Sequence, residues 1–196
     1  MAEPAPELAL AAICRELTQR GRRFALVGGL AVSVRAEVRF TRDVDLVVIV
    51  ADDVEAEALV YELRSAGYPA VASVEHETRH RLATIRLMSP SGVKVDLLFA
   101  NSGIETEIVD RATPIDLGSA GTVPVASAEE LLAMKILSMT DSRLQDRIDA
   151  QRLLQFTPEL DVSLVRELLA RITERGYSRE QNLEDKLAAV LREVGR

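Results

Sequence analysis

The segment Asp43-Val44-Asp45-Leu46-Val47-Val48-Ile49-Val50 constrains the fold of this chain most. Its apolar run reads as a strand over Val44 to Val50 covered on both faces, and such strands belong to sheets layered between helices. Two acids stand at i and i+2 where that strand begins. They point to one side of the sheet, about 7 Å apart at their Cα atoms, so their carboxylates can share a divalent metal. Upstream, the short apolar run Phe24 to Val27 leads into Gly28-Gly29. At that strand-to-helix turn a phosphate can approach bare backbone N–H groups. These are the parts of a metal-dependent nucleotidyl-transfer site.

The remaining pattern predicts an α/β half followed by a helical half. Leu10, Ile13, Cys14 and Leu17 recur at helical spacing before the stop at Gly21, and a second helix runs from the glycine pair to about Ala36. Asp52-Asp53 caps a third, which ends near Gly67. Strands follow at Ala70–Val74, Leu82–Met88 and Val93–Phe99, the last two joined as a hairpin by Ser89-Pro90-Ser91-Gly92. A polar helix over Ile104–Arg111 precedes short extended pieces at Ile115–Leu117 and Thr122–Val125. Ser127-x-x-Glu130 reads as a capping box opening a helix that reaches Met139. Further helices are expected at about Arg143–Phe156, Val162–Arg175 and Leu183–Val194. The predicted division is residues 1–126 as the α/β core and 127–196 as a helical subdomain packed against it.

Composition narrows the class. The 196 residues are 47% hydrophobic and 28% charged, and no apolar run approaches the length that spans a bilayer. The acidic start Met1 to Glu7 has neither the basic region nor the apolar core of a signal peptide, so a cytoplasmic location is expected. Cys14 stands alone, which excludes an internal disulfide and a thiolate metal cluster, and its place on an apolar helix face reads as packing. A net charge of −7 argues against a broad electrostatic grip on nucleic acid, though a local basic patch can hold one RNA end. Arg outnumbers Lys, which occurs at Lys94, Lys135 and Lys186; with abundant Ala and Val this points to a bacterium with a GC-rich genome.

Nucleotidyl transfer brings a nucleophile toward an anionic α-phosphate, and two metal ions held by carboxylates can bind the attacking and leaving oxygens together. Asp43 and Asp45 supply the first pair. Asp96, set among apolar residues in Val93 to Phe99, offers a third acid where an unpaired charge is expensive. Other readings of the same residues stand beside this one: Asp43 and Asp45 pairing with Arg39 or Arg42, and Asp96 with Lys94 or Arg86. Arg35, Arg39 and Arg42 are expected beside the acids, and Arg79, His80, Arg81 and Arg86 near the hairpin. Either group can grip phosphate or form a solvated, charge-balancing face. His76 and His80 are spaced i, i+4, but in an extended or looped region that does not favour a metal pair.

The order of glycine pair, Asp-x-Asp and a third strand acid resembles the polymerase-β-type nucleotidyltransferase superfamily. Val-Gly-Gly-Leu-Ala followed by Arg-Phe-Thr-Arg-Asp-Val-Asp is most similar to the AbiEii/MenT-type toxins of bacterial toxin–antitoxin pairs. The helical half adds Glu129 to Lys135 and then Arg143-Leu144-Gln145-Asp146-Arg147-Ile148-Asp149, resembling the family's Lys and Arg/Lys-Asp-x-x-Asp motif, with Gln145 where a basic residue is usual. The resemblance implies a polymerase-β-like fold, a mixed sheet flanked by helices with a C-terminal helical subdomain. It implies Mg²⁺ (or Mn²⁺) on Asp43, Asp45 and Asp96, with NTP phosphates on Gly28, Gly29, Arg39, Arg42 and Lys135. Asp146 and Asp149 share one helix face, and one of them would orient Lys135 or the incoming base, with Asp146 supporting the nucleotide end and Asp149 among the nucleotide-binding residues. Bland readings of these three are a solvated lysine and surface ion pairs with Arg143, Arg147 or Arg152.

The same resemblance implies transfer of NMP to the 3′ end of tRNA, so that translation stops, and a cognate antitoxin encoded alongside. It also marks Thr41 as a position that an antitoxin can have phosphorylated, where a local backbone hydrogen bond is the simpler role. Two rival functions share these residues. One is an aminoglycoside or lincosamide nucleotidyltransferase, since an acidic protein suits a cationic drug. The other is a catalytically idle nucleotide-binding regulatory partner.

Overall fold

The computed structural model describes residues 6–76 and 81–196. Its elements are α1 (Pro6–Gln19), β1 (Phe24–Val27), α2 (Gly28–Arg35), β2 (Val44–Val48), α3 (Asp53–Ser65), β3 (Ala70–His76), β4 (Arg81–Met88), β5 (Lys94–Leu98), α4 (Glu105–Arg111), β6 (Thr113–Asp116), β7 (Thr122–Val125), α5 (Ala128–Ser138), α6 (Leu144–Phe156), α7 (Val162–Glu174) and α8 (Leu183–Glu193). A short 3-10 turn over Gly118–Ala120 separates β6 from β7. The seven strands form one mixed sheet in the order β3-β4-β5-β2-β1-β7-β6.

β1 and β2 are antiparallel, whereas β2 and β5 run parallel, as do β1 and β7. β4–β5 is the expected hairpin. The apolar run of β2 therefore lies at the centre of the sheet, where Val44, Leu46, Val47 and Val48 are fully buried. β3 is an exposed edge along almost its whole length. One apolar cluster extends from Leu10 and Leu17 of α1 through the sheet to Leu187 and Val190 of α8. Its hub is α5, whose Leu131, Leu132, Ile136 and Leu137 are enclosed by α2, α6, α7 and α8. Cys14 belongs to this cluster, and burial pushes its thiol up to about 12, so it packs as a small hydrophobe.

Two local expectations change. The Asp52 carboxylate caps α3 by accepting from the Glu55 N–H at 2.9 Å, as its sequence suggests. The Ser127 hydroxyl does not cap α5. Its one proton is shared between Glu129 Oε2, at 2.6 Å, and Glu130. Arg35, expected beside the acids, turns the other way. It donates to the carbonyls of Ala126 at 2.9 Å and Val125 at 2.8 Å, and to Thr113 Oγ1 at 2.6 Å, clamping α2 to the end of β7.

Candidate active site

The strand register assembles the acids. Asp45 is the Cα partner of Val27 on one side and of Asp96 on the other, so Asp45 and Asp96 sit side by side on parallel strands, about 4.8 Å apart. In-register neighbours project from the same face of a sheet, and Asp43, just before β2, joins them in a cleft of about 1090 Å³. Burial pushes the Asp45 carboxyl up to about 6, followed by repulsion from Asp96 and, more weakly, Asp43, against the pull of Lys135 and the Gly29 N–H. Among the described residues no three acid or imidazole side chains are already drawn together as a metal site, but hard carboxylate oxygens of this kind are what Mg²⁺ or Mn²⁺ would take.

The glycine turn fits this acid closely. Gly28 has φ +66°, and a Cβ there would stand 2.0 Å from Asp45 Oδ2, so a side chain would displace the carboxylate. The Gly29 N–H donates to Asp45. Above Gly29 the space of a Cβ is taken by the Arg39 guanidinium at 2.4 Å and the Thr41 hydroxyl at 2.9 Å. The first service of the turn is thus to seat Asp45, with Arg39 and Thr41 forming the surface above it.

Asp96 is held from the opposite strand. Arg86 Nε donates to its Oδ1 at 2.7 Å and Nη2 to its Oδ2 at 2.6 Å, a bidentate clamp between Cα partners of β4 and β5. Asp96 in turn holds that guanidinium above its ordinary range. Lys94, the other candidate, plays no part in this pair.

The helical half supplies a second charge network. Lys135 is buried on α5, and its Nζ lies 2.8 Å from both Asp146 Oδ1 and Asp149 Oδ2. Arg39 Nη2 donates to Asp149 Oδ2 at 3.0 Å, and Gln145 Nε2 to its Oδ1 at 2.8 Å. Burial alone would raise the Asp149 carboxyl, but Lys135, Gln145 and Arg39 outweigh it and hold the group below its usual range. Asp149 is completely enclosed, at 0% exposure, so of the two expected roles, toward Lys135 or toward the nucleotide, its geometry has the first, with Arg39 as a further partner. Lys135 and Asp146 do line the cleft.

Arg42 is placed differently from the expectation: it is exposed, with its guanidinium 5.3 Å from the centroid of Phe40 and outside the cleft lining. Arg81 pairs with Asp53 at 3.2 Å. Arg79 and His80 lie outside the described residues. The sequence pattern holds no sign of the cleft's far wall, built from Asn101 and the α7–α8 loop with Ser178, Arg179 and Glu180. Gly176 after α7 reads only as a helix stop, and nothing local says where the loop goes.

A mixed sheet that sets adjacent carboxylates beside a strand-to-helix glycine turn, faced by a lysine helix, defines the class of nucleotidyltransferases. The family described as nucleotidyl transferase AbiEii toxin, type IV toxin–antitoxin system, matches residues 11–195, and the chain belongs to it. It is therefore a nucleotidyltransferase enzyme of a toxin family. Among solved structures it is similar to an antigenic nucleotidyltransferase-like protein from Paracoccidioides brasiliensis, with 21% identity, a TM-score of 0.53 and coverage of 95% of this chain and 94% of that one. The antibiotic-resistance factor ANT(2″)-Ia is 16% identical with a TM-score of 0.55, covering 91% and 97%. The lincosamide antibiotic adenylyltransferase LnuA is 16% identical with a TM-score of 0.51, covering 79% and 100%. At these identities the likeness is one of fold. No curated protein matches the chain.

Proposed function

We propose that this enzyme moves a nucleoside monophosphate from an NTP to the 3′ end of tRNA, with release of pyrophosphate, as the toxin of a toxin–antitoxin pair. The observation that carries the chemistry is the in-register pair Asp45 and Asp96 with Asp43 at the head of the same strand. These three would hold Mg²⁺ (or Mn²⁺), which when bound offsets charge on the attacking and leaving oxygens. Lys135, fixed by Asp146 and Asp149, presents its ammonium to the nucleotide phosphates, and Arg39 and Thr41 lie beside the Gly28-Gly29 turn on the same side. Asp96 has lone pairs left beyond those taken by Arg86, which can ligate a cation or accept the acceptor's hydroxyl proton. The tRNA acceptor is what the resemblance to the AbiEii/MenT-type toxins implies; the net charge of −7 suits contact with one RNA end rather than a long duplex. An enzyme that acts on tRNA works in the cytoplasm, where this reading places it. No helix among the described residues is long and apolar enough to cross a membrane.

The test is incubation with Mg²⁺, each labelled NTP in turn, and either total tRNA or aminoglycoside and lincosamide drugs. Label should pass to tRNA and fall by about 10³-fold in Asp43→Ala, the equivalent of losing several kcal/mol of charge stabilisation. Label on a drug instead would assign the enzyme to antibiotic modification, and label on neither would overturn both acceptors.

Thr41 is proposed as the regulatory position. Its hydroxyl lies by Gly29 and lines the cleft with Asp43, where a phosphate would add about −2 of charge and oppose NTP binding. Mass spectrometry of the chain co-expressed with its antitoxin should show a phosphate on Thr41. An unmodified Thr41 in fully neutralised protein would sink the idea.

A further inference from the structure

The cleft that holds the carboxylates is also lined by two guanidinium groups on different loops. Arg143 stands in the α5–α6 connection and Arg179 in the α7–α8 loop, and both line the cleft. Neither is neutralised in the usual way. Arg143 has a single loose acid contact, 3.7 Å to Asp146, and its side chain is 59% exposed. Arg179 has no ion pair among the described residues; its Nη2 donates to Asn101, at 3.0 Å to Oδ1 and 3.4 Å to the carbonyl. Loss of hydration, then repulsion from Arg143, pulls the Arg179 guanidinium below its ordinary range, so the two charges sense each other.

The backbone is strained to place this group. Among the described residues Arg179 and Glu180, with φ of 54° and 58°, are the non-glycine residues in the left-handed region. Such conformations persist where surrounding contacts over-determine them, and they gather at functional sites. Here the contacts are visible: Arg175 donates to the Gly103 carbonyl, and the Tyr177 ring fills the space over Gly103, 2.5 Å from where a Cβ would stand. The loop is therefore anchored just beyond the end of β5, the strand that carries Asp96.

We infer that Arg143 and Arg179 form an anion subsite for the acceptor, gripping a backbone phosphate of the RNA strand whose 3′ end enters the cleft. This rests on the proposed transfer to tRNA. The sheet order gives the direction. Gly28, Gly29 and Lys135 lie toward β1, α2 and α5, where the NTP phosphates are placed, whereas Arg179 is fixed on the β5 side, beside the acid assigned to the acceptor; Arg143, at the head of α6 by Asp146, adds its charge from the other side of the cleft. Glu75 and Glu180 also line this rim, and they are the groups a cationic acceptor would use. Two guanidiniums lining one cleft, one with no ion pair among the described residues and the other with a single loose one, favour an anion, and their planar donor forks match phosphate.

The experiment measures tRNA and NTP binding and transfer across a salt series for the wild-type chain, Arg143→Gln, and the double variant Arg143→Gln/Arg179→Gln. Arg143→Gln serves as the variant that folds without question, since Arg143 is exposed and loosely paired. The double variant should raise the KM for tRNA about tenfold and lower the slope of log K against log salt by about 0.7–0.9 for each phosphate that is no longer gripped. KM for NTP should stay within twofold, and Arg143→Lys/Arg179→Lys should recover part of the affinity for tRNA. An unchanged salt slope in both Gln variants, or an equal weakening of NTP binding, overturns the subsite while leaving the tRNA reading in place. A wild-type chain that labels no tRNA overturns the tRNA reading, and one that labels a cationic aminoglycoside overturns both.

Discussion

Asp45→Asn should abolish nucleotidyl transfer and at the same time raise the melting temperature of the metal-free protein. The first effect follows from the position of Asp45 between the glycine turn and Asp96: an amide cannot supply the anionic oxygens that a divalent cation needs, and losing several kcal/mol of charge stabilisation slows transfer about 10³-fold. The second follows from the direction of its titration. An acid pushed from 3.8 to about 6 in the fold is one whose ionised form the fold disfavours. Above that value the metal-free protein carries the whole penalty, at most about 3 kcal/mol. As pH falls from about 6 toward 3.8, folded Asp45 binds its proton before the unfolded chain does, and stability is gained. Asn accepts the Gly29 N–H without the charge, so the variant should melt higher by about 5 °C at neutral pH and lose this acid-side gain. Melts at pH 7 and pH 5 in chelator, beside the transfer assay, check both halves. A variant that melts lower than wild type at pH 7 would show that the burial of this charge and its crowding by Asp96 and Asp43 do not limit stability.

What could be read from the sequence divides along a physical line. Elements follow from local pattern, and β2, β5, α5 and α6 lie where apolar periodicity and turn residues put them. The acid pair Asp43 and Asp45 and the glycine pair are also local, since spacing alone fixes their common side. The pairings between distant segments are not local. Whether Asp96 meets Lys94 or Arg86 depends on β4 being the antiparallel neighbour of β5 in the register that sets Arg86 opposite Asp96. Arg39 and Asp149, 110 positions apart, meet only because α2 and α6 pack on one another. Arg35 looks like a site residue from its place near Arg39, yet β1–β7 pairing brings the Ala126 carbonyl within its reach. The Ser127 motif differs in another way: its hydroxyl is turned to the carboxylates of Glu129 and Glu130 and makes no bond to the backbone of the first turn.

Asp149→Ala should have the opposite effect on stability from Asp45→Asn, although both remove an acid from the interior. Asp45 is crowded by acids, whereas Asp149 is enclosed by Lys135, Arg39 and the Gln145 amide. Removing it leaves Arg39 without its carboxylate and Lys135 with Asp146 alone. Breaking a buried pair from one side costs about 3–5 kcal/mol, which for a chain of this size lowers the melting temperature by on the order of 10 °C. The sign with pH also reverses. The Asp149 carboxyl is held below its usual value of 3.8, so its contribution is complete above that value and is lost as pH falls through the lower folded value. The variant should therefore be destabilised at neutral pH and lose less than wild type on further acidification. Function should suffer separately, because Lys135 and Arg39 are no longer held toward the phosphates: KM for NTP should rise and kcat fall at temperatures where the variant remains folded. Asp149→Asn, which preserves shape and one acceptor oxygen, should lie between the two in both measurements. If Asp149→Ala melts within about 2 °C of wild type, a shift worth under about 1 kcal/mol, the two cations do not depend on this acid, and the account of how the helical half aims Lys135 at the cleft fails.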